Sequence, residues 1–192
     1  MIKEDAKILD ATAGNRMIWH TKDDPRILWI DIEPELEIKP DRVMDCTKTD
    51  FKDKSFNFIV FDPPHGYGEK AGDTHLTCRN KKEIDVRNAK YNMNMKLAYY
   101  GWDKYRSAPD LMRFIYLSQK EFQRILADNG LLFMKWNEVK IPLHRALAIM
   151  NNWLLMMKLD IKDPSQTLGN SKTFWLLFMK SLKPNNQTEL TP

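Results

Sequence analysis

Short apolar runs rich in β-formers alternate along this chain with stretches of helical period. That order is the signature of a parallel sheet whose strands are joined by crossover segments. Lys7–Asp10 reads as the first strand, Ile27–Ile32 as the second, Arg42–Met44 as a short third and Phe56–Phe61 (FNFIVF) as the fourth. Pro109-Asp110 opens a helix that sets Leu111, Ile115, Phe122, Ile125 and Leu126 largely on one face, and Gly130 is expected to close it as a left-handed cap. Leu131–Trp136 follows as a fifth strand and Pro142–Leu154 as a helix with proline in its first turn. Leu155–Ile161 and Thr173–Met179 finish the sheet, and the Trp153–Met157 stripe is expected to pack in the core.

One segment breaks the alternation. Residues 66–108 show no clean period, yet they interleave Tyr67, Tyr91, Tyr99, Tyr100, Trp102 and Tyr105 with Lys90, Lys96, Lys104 and further basic residues. A stretch of this length inside a compact domain is a functional insertion or a solvated loop. It follows the fourth strand directly, and so falls beside the carboxyl edge where open α/β sheets take ligands. The expected organisation is one domain over residues 1–182, with 66–108 as a substrate-recognition insertion and 183–192 as a loose polar tail.

Composition narrows the class. Hydrophobic residues make up 43% and charged residues 29%, which excludes a disordered chain. A net charge of +4 leans toward anionic partners without establishing one. Cys46 and Cys78 sit in no metal-ligand spacing, so no metal is expected and a reducing compartment is the simpler reading. Met1 to Lys7 is charged with no basic-then-apolar leader, and no apolar run is long enough to span a bilayer. The expected location is therefore the cytoplasm, away from membranes.

Two constellations carry chemistry. In the first, a strand ends in Asp10 and runs into the small-residue turn Ala11-Thr12-Ala13-Gly14, where backbone amides can approach a polar ligand. Asp31-Ile32 ends the next strand about 20 residues on, where an α/β nucleoside site places the carboxylate that accepts from ribose hydroxyls. Asp45, after the third strand, is positioned to reach an adenine amino group. Each feature alone suits a bland strand-to-helix loop or a surface acid; their ordered succession points to a nucleoside cofactor.

The second constellation is Asp62-Pro63-Pro64-His65 at the end of the strongest strand. Two consecutive prolines fix the backbone and remove two amide donors, leaving carbonyls to point outward. A planar amine fits there. Its N–H groups donate to the Asp62 carboxylate and the Pro63 carbonyl while its ring stacks on His65, which localises the nitrogen lone pair for attack on a sulfonium methyl. The plain alternative is a rigid turn with a surface histidine.

With these motifs in that order, the chain resembles a class I S-adenosylmethionine-dependent methyltransferase of the amino-methylating branch, whose motif is (Asp/Asn/Ser)-Pro-Pro-(Tyr/Phe/Trp/His). It resembles in particular small phage- or prophage-type enzymes that share Asp-Ala-Thr-Ala-Gly, Asp-Pro-Pro-His, Lys-Trp on the fifth strand and Ser-Lys-Thr before the last. The resemblance implies a Rossmann-like α/β fold, with a seven-stranded mostly parallel sheet, an antiparallel last strand and helices on both faces. It implies S-adenosylmethionine as cofactor, held by Asp10, Ala11, Thr12, Ala13, Gly14, Asp31, Ile32, Asp45 and Asp62. Asp62, Pro63 and His65 are the expected catalytic residues. Pro64, Tyr67, Lys135, Trp136 and Lys172 are the expected substrate contacts. For Trp136 a place in the core is an equally open reading, and Gly169–Lys172 is expected to make the hairpin turn rather than bind a phosphate. One departure is Arg16, which stands where many relatives carry another glycine.

The implied reaction is methylation of a nucleobase amine, adenine N6 or cytosine N4, in DNA or RNA, with the base flipped out of any duplex. Nucleic acid is thus the expected partner. The small size leaves target recognition to a short sequence, a homodimer or a partner protein. A protein glutamine or small-molecule amine is the alternative substrate, and a non-catalytic binding subunit the alternative role.

Overall fold

In the computed structural model, residues 6–67, 105–161 and 172–181 are described. The greater part of the 66–108 insertion, Gly169–Ser171, Cys78 and the carboxyl tail lie outside them. Seven strands form one sheet: β1 (Ile8–Asp10), β2 (Ile27–Asp31), β3 (Arg42–Val43), β4 (Phe56–Phe61), β5 (Leu126–Asn137), β6 (Trp153–Ile161) and β7 (Thr173–Lys180). Their order is β3-β2-β1-β4-β5-β7-β6. The first five strands pair in parallel, and β7 runs antiparallel to both β5 and β6. This is the expected seven-stranded architecture with its antiparallel last strand. β2 is buried along all five of its residues, as a strand covered on both faces must be.

Helix α1 (Ala108–Ile125) begins at Ser107, whose hydroxyl accepts from the Asp110 amide, and Asp110 places an acid in the first turn. Leu111, Ile115, Phe122 and Ile125 are fully buried at helical spacing. They pack in one core with Leu132, Met134 and Trp136 of β5 and Phe174, Leu176 and Phe178 of β7. Leu143 and Ala146 of the second described helix, α2 (Leu143–Ala148), enter the same core.

Three expectations are corrected here. Gly130 does not cap the helix: α1 stops at Ile125, Leu126 is already extended, and Gly130 lies within β5. The left-handed residue is Asn129, at φ 62°, in a stretch where β4 advances two residues while β5 advances five. The expected Pro142–Leu154 helix ends at Ala148, because Trp153 is needed in β6, where its indole Nε1 donates to Gln119 on α1. Of the Trp153–Met157 stripe only Trp153 is core; Leu154, Leu155, Met156 and Met157 are exposed along an edge strand.

The connections that join β1, β2, β3 and β4 are turns and contain no helix. Arg16 supplies the cover that a crossover helix otherwise gives. It is 7% exposed, sits at φ 54°, and lays its guanidinium 3.9 Å from the centre of the Trp29 ring. The same group donates to the carbonyls of Lys22 and Lys39, tying two loops over the small cluster of Ala13, Ile27 and Trp29. The residue that departs from the glycine pattern is therefore the fastener of this side of the sheet.

Candidate active site

The carboxyl ends of β1, β2, β4 and β5 converge on a cavity of about 720 Å³, within the range of small-molecule sites. The turn after β1 is stitched to both neighbouring strands. Ala11 N–H donates to Val60 O (2.9 Å) and Ala13 N–H to Ile30 O (3.0 Å). Gly14 takes φ 48°, a conformation that L side chains rarely adopt, and its amide donates to the Asp31 carboxylate at 2.8 Å. Asp31 is buried and also accepts from the Glu33 amide at 2.9 Å, so two of its lone-pair sites are filled and others remain. Asp45 is exposed at the cavity wall and accepts from the Thr47 amide.

Thr12 joins the two constellations: its hydroxyl accepts from the Asp62 backbone amide at 2.8 Å. Asp62 then places its carboxylate between two basic side chains. His65 Nε2 lies 3.1 Å from Oδ1 and Lys135 Nζ 2.9 Å from Oδ2. Burial alone would raise this carboxyl; the His65 hydrogen bond and charge, together with the Lys135 ammonium, outweigh it and hold the group below its ordinary value. Asp62 is thus an ionised, acceptor-only group at neutral pH.

The cavity brings together most of the expected residues: Ala11, Thr12, Ala13, Gly14, Asp31, Ile32, Asp45, Asp62, Pro63, Pro64, His65 and Lys135. Four others stand elsewhere, and each has a physical reason. Asp10 is fully buried behind the turn, where it accepts from Trp19 Nε1 (2.6 Å) and the Thr12 amide (3.2 Å), and burial pushes its carboxyl up to about 7. Trp136 points into the core and donates its indole N–H to Ile141 O at 3.1 Å. Tyr67 packs half-buried against that core, with Lys140 Nζ 5.9 Å from its ring centre. Lys172 is exposed, and its carbonyl accepts from the Glu138 amide at the start of the β7 connection.

His65 is placed differently from the expected stacking platform. Its ring meets Trp136 edge-on at 5.9 Å, its Nε2 is engaged with Asp62, and its Nδ1 is buried without a hydrogen-bond partner among the described residues. The aromatic surfaces that do line the cavity are Tyr105 and Phe114, whose ring centres are 5.1 Å apart. Tyr105 belongs to the aromatic insertion expected to meet substrate, whereas Phe114 was not foreseen. Phe114 precedes core residue Ile115 on α1 and so leans off the core face, a signal available in the helical period. Asn15, Ile38 and Met44 also line the site, on loops without a sequence signature. Among the described residues no cluster of three His, Cys, Asp or Glu could hold a metal ion, and no helix is long and apolar enough to cross a membrane.

No family model and no curated protein matches the sequence. Solved structures do. The PH0226 protein from Pyrococcus horikoshii OT3 superposes with a TM-score of 0.54 at 12% identity, over 91% of this chain and 81% of that one. A SAM-dependent methyltransferase from Methanosarcina mazei superposes with a TM-score of 0.50 at 13% identity, over 94% of each chain. At such identities the likeness is one of fold. The chain has a Rossmann-like fold shared with a SAM-dependent methyltransferase.

Proposed function

We propose that this chain is an S-adenosylmethionine-dependent N-methyltransferase acting on an exocyclic amine of a nucleobase, adenine N6 or cytosine N4, in DNA or RNA. The observation that carries the reading is the position of the Asp62 carboxylate. It is held ionised at the end of β4 and shares one cavity with Asp31, Asp45 and the Ala11–Gly14 turn.

The residues present fit the cofactor. The turn carries no side chain larger than threonine, and nothing lies within 4 Å of the place a Cβ would take at Gly14. Asp31 would accept from the ribose hydroxyls and Asp45 from the adenine amine. When bound, the cofactor supplies the electrophilic methyl group.

The remaining work falls to this chain. Asp62 accepts an N–H of the target amine, and the Pro63 carbonyl is the expected second acceptor. The amine keeps its proton until its nitrogen has attacked, so positioning matters more than a strong base. Lys135 neutralises Asp62 from the neighbouring strand and keeps it an acceptor in a partly dry site. Tyr105 and Phe114 offer the apolar wall against which a flipped base would rest. The basic and aromatic composition of residues 66–108 supports nucleic acid as the carrier of that base.

The test is mass spectrometry of nucleosides from DNA and RNA incubated with the protein and methyl-labelled cofactor. Labelled N6-methyladenine or N4-methylcytosine is expected, and its loss in Asp62→Ala. Label appearing only in protein or small amines would overturn the nucleobase assignment.

A further inference from the structure

We propose that β6 is the self-association edge of this protein, with two copies pairing their β6 strands antiparallel about a twofold axis at Leu159. The inference rests on the sheet edge alone and is independent of the reaction.

Among the described residues, β6 ends the sheet and pairs only with β7. Its nine residues, WLLMMKLDI, contain no proline and only two charges. Leu154, Leu155, Met156, Met157, Leu159 and Ile161 are each between 36% and 52% exposed. Monomeric proteins blunt such edges with short strands, prolines or many charges, because an unpaired apolar strand templates pairing with another chain. Among these nine residues there is no proline, and the single irregularity lies between Leu155 and Met157, before the run Met157–Ile161.

The charges select the occupant. The irregularity between Leu155 and Met157 leaves Met157–Ile161 as a regular five-residue run. By register with β7, Lys158 and Asp160 share the face of Leu176 and Phe174, while Met157, Leu159 and Ile161 share the opposite one. A twofold pairing of identical strands preserves the faces, so it must centre on a residue. Centred on Lys158 or on Asp160 it sets like charges directly opposite each other, which is destabilising. Centred on Leu159 it sets Lys158 against the partner's Asp160, and Asp160 against the partner's Lys158. Met157 then meets the partner's Ile161 on the apolar face, and the whole regular run is paired. Lys158 Nζ and Asp160 Oδ1 are 3.5 Å apart within one chain, both about half exposed, so each can turn to the second copy. A second copy of this chain satisfies both the apolar edge and its alternating charge.

Sedimentation equilibrium of the full chain tests this directly. The expected mass is twice 22.7 kDa. Lys158→Glu should weaken the dimer about tenfold or more, about 1.4 kcal/mol, and adding Asp160→Lys should restore it. Leu159→Cys should cross-link to itself on oxidation, since directly opposite Cα atoms at ~4.5–5.5 Å fall within disulfide reach. Met157→Cys should not, because its counterpart is the partner's Ile161. A monomeric wild type, or a dimer indifferent to both the charge swap and the Leu159 cross-link, would overturn the proposal.

Discussion

Replacing Asp10 by asparagine should make the wild type and variant exchange rank in stability as pH rises. Asp10 is fully buried, and its desolvation dominates, aided by the nearby Asp62 and Asp31 charges; the bonds from Trp19 and Thr12 offset only part of this. Its carboxyl therefore titrates at about 7 in the folded protein, against 3.8 for the unperturbed group. The folded state keeps a proton that the unfolded chain releases early, so stability falls as pH rises from about 4 to about 7 and is level above. At about 1.4 kcal/mol per pH unit between the two values, the loss is roughly 4 kcal/mol. The amide that replaces the carboxyl in Asp10→Asn carries no charge and removes this slope. It retains one carbonyl oxygen for the Trp19 indole but presents its NH2 to the Thr12 amide, a pH-independent cost of about 1–3 kcal/mol. The wild type should be the more stable near pH 4.5 and the variant near pH 8, with the crossing between. Urea unfolding of both proteins across that range measures the difference free of other titrating groups. A difference that does not change with pH would refute the buried-acid reasoning.

Three further outcomes are expected. Asp31→Asn preserves an acceptor for the Gly14 amide but loses the carboxylate offered to the ribose, and titration calorimetry should show S-adenosylmethionine affinity lower by about 1–3 kcal/mol. Equal affinity would remove Asp31 from the cofactor site. Lys135→Met withdraws one of the two basic groups that hold the Asp62 carboxyl below its ordinary value, so that carboxyl rises and the acid limb of the kcat/KM profile should move to higher pH. A limb that stays in place would mean that Asp62 does not govern it. Gly130→Ala would bring a Cβ within 2.5 Å of Leu126 Cγ and 2.9 Å of the Ala127 carbonyl; the overpacking should cost about 1–3 kcal/mol in denaturant unfolding, and a neutral result would show that the Asn129 turn gives way freely.

The strands and their order of use were legible because burial on both faces forces continuous apolar runs, as in Ile27–Asp31 and Phe56–Phe61. The acids that end those strands were legible for the same reason: Asp31 and Asp62 mark where an apolar run stops at a cavity. Element ends were less so. The Pro142–Leu154 helix and the Gly130 cap failed because Trp153 and Leu126 answer to tertiary partners, Gln119 on α1 and Phe56 on β4, that no local period encodes. The stripe Leu154–Met157 misled in the opposite way. Its hydrophobicity was read as interior, whereas it lies along the sheet edge.

Side-chain roles diverged from expectation where one residue was asked to do what its neighbours do. His65 and Asp62 stand three apart on a turn that brings Nε2 onto the carboxylate, so the ring that motif logic offers to a base is engaged in setting the charge of Asp62. The stacking duty passes in our reading to Tyr105 and Phe114, which reach the cavity from the α1 side. Arg16 shows the same exchange in the scaffold. Without a helix between β1 and β2, Trp29 meets Trp19 only edge-on, and a flat cation that can stack on indole and donate to two loop carbonyls completes its cover. A glycine at position 16 would accept the left-handed backbone more easily but could cover nothing. In this chain the glycine pattern yields there because covering the sheet outweighs the backbone strain.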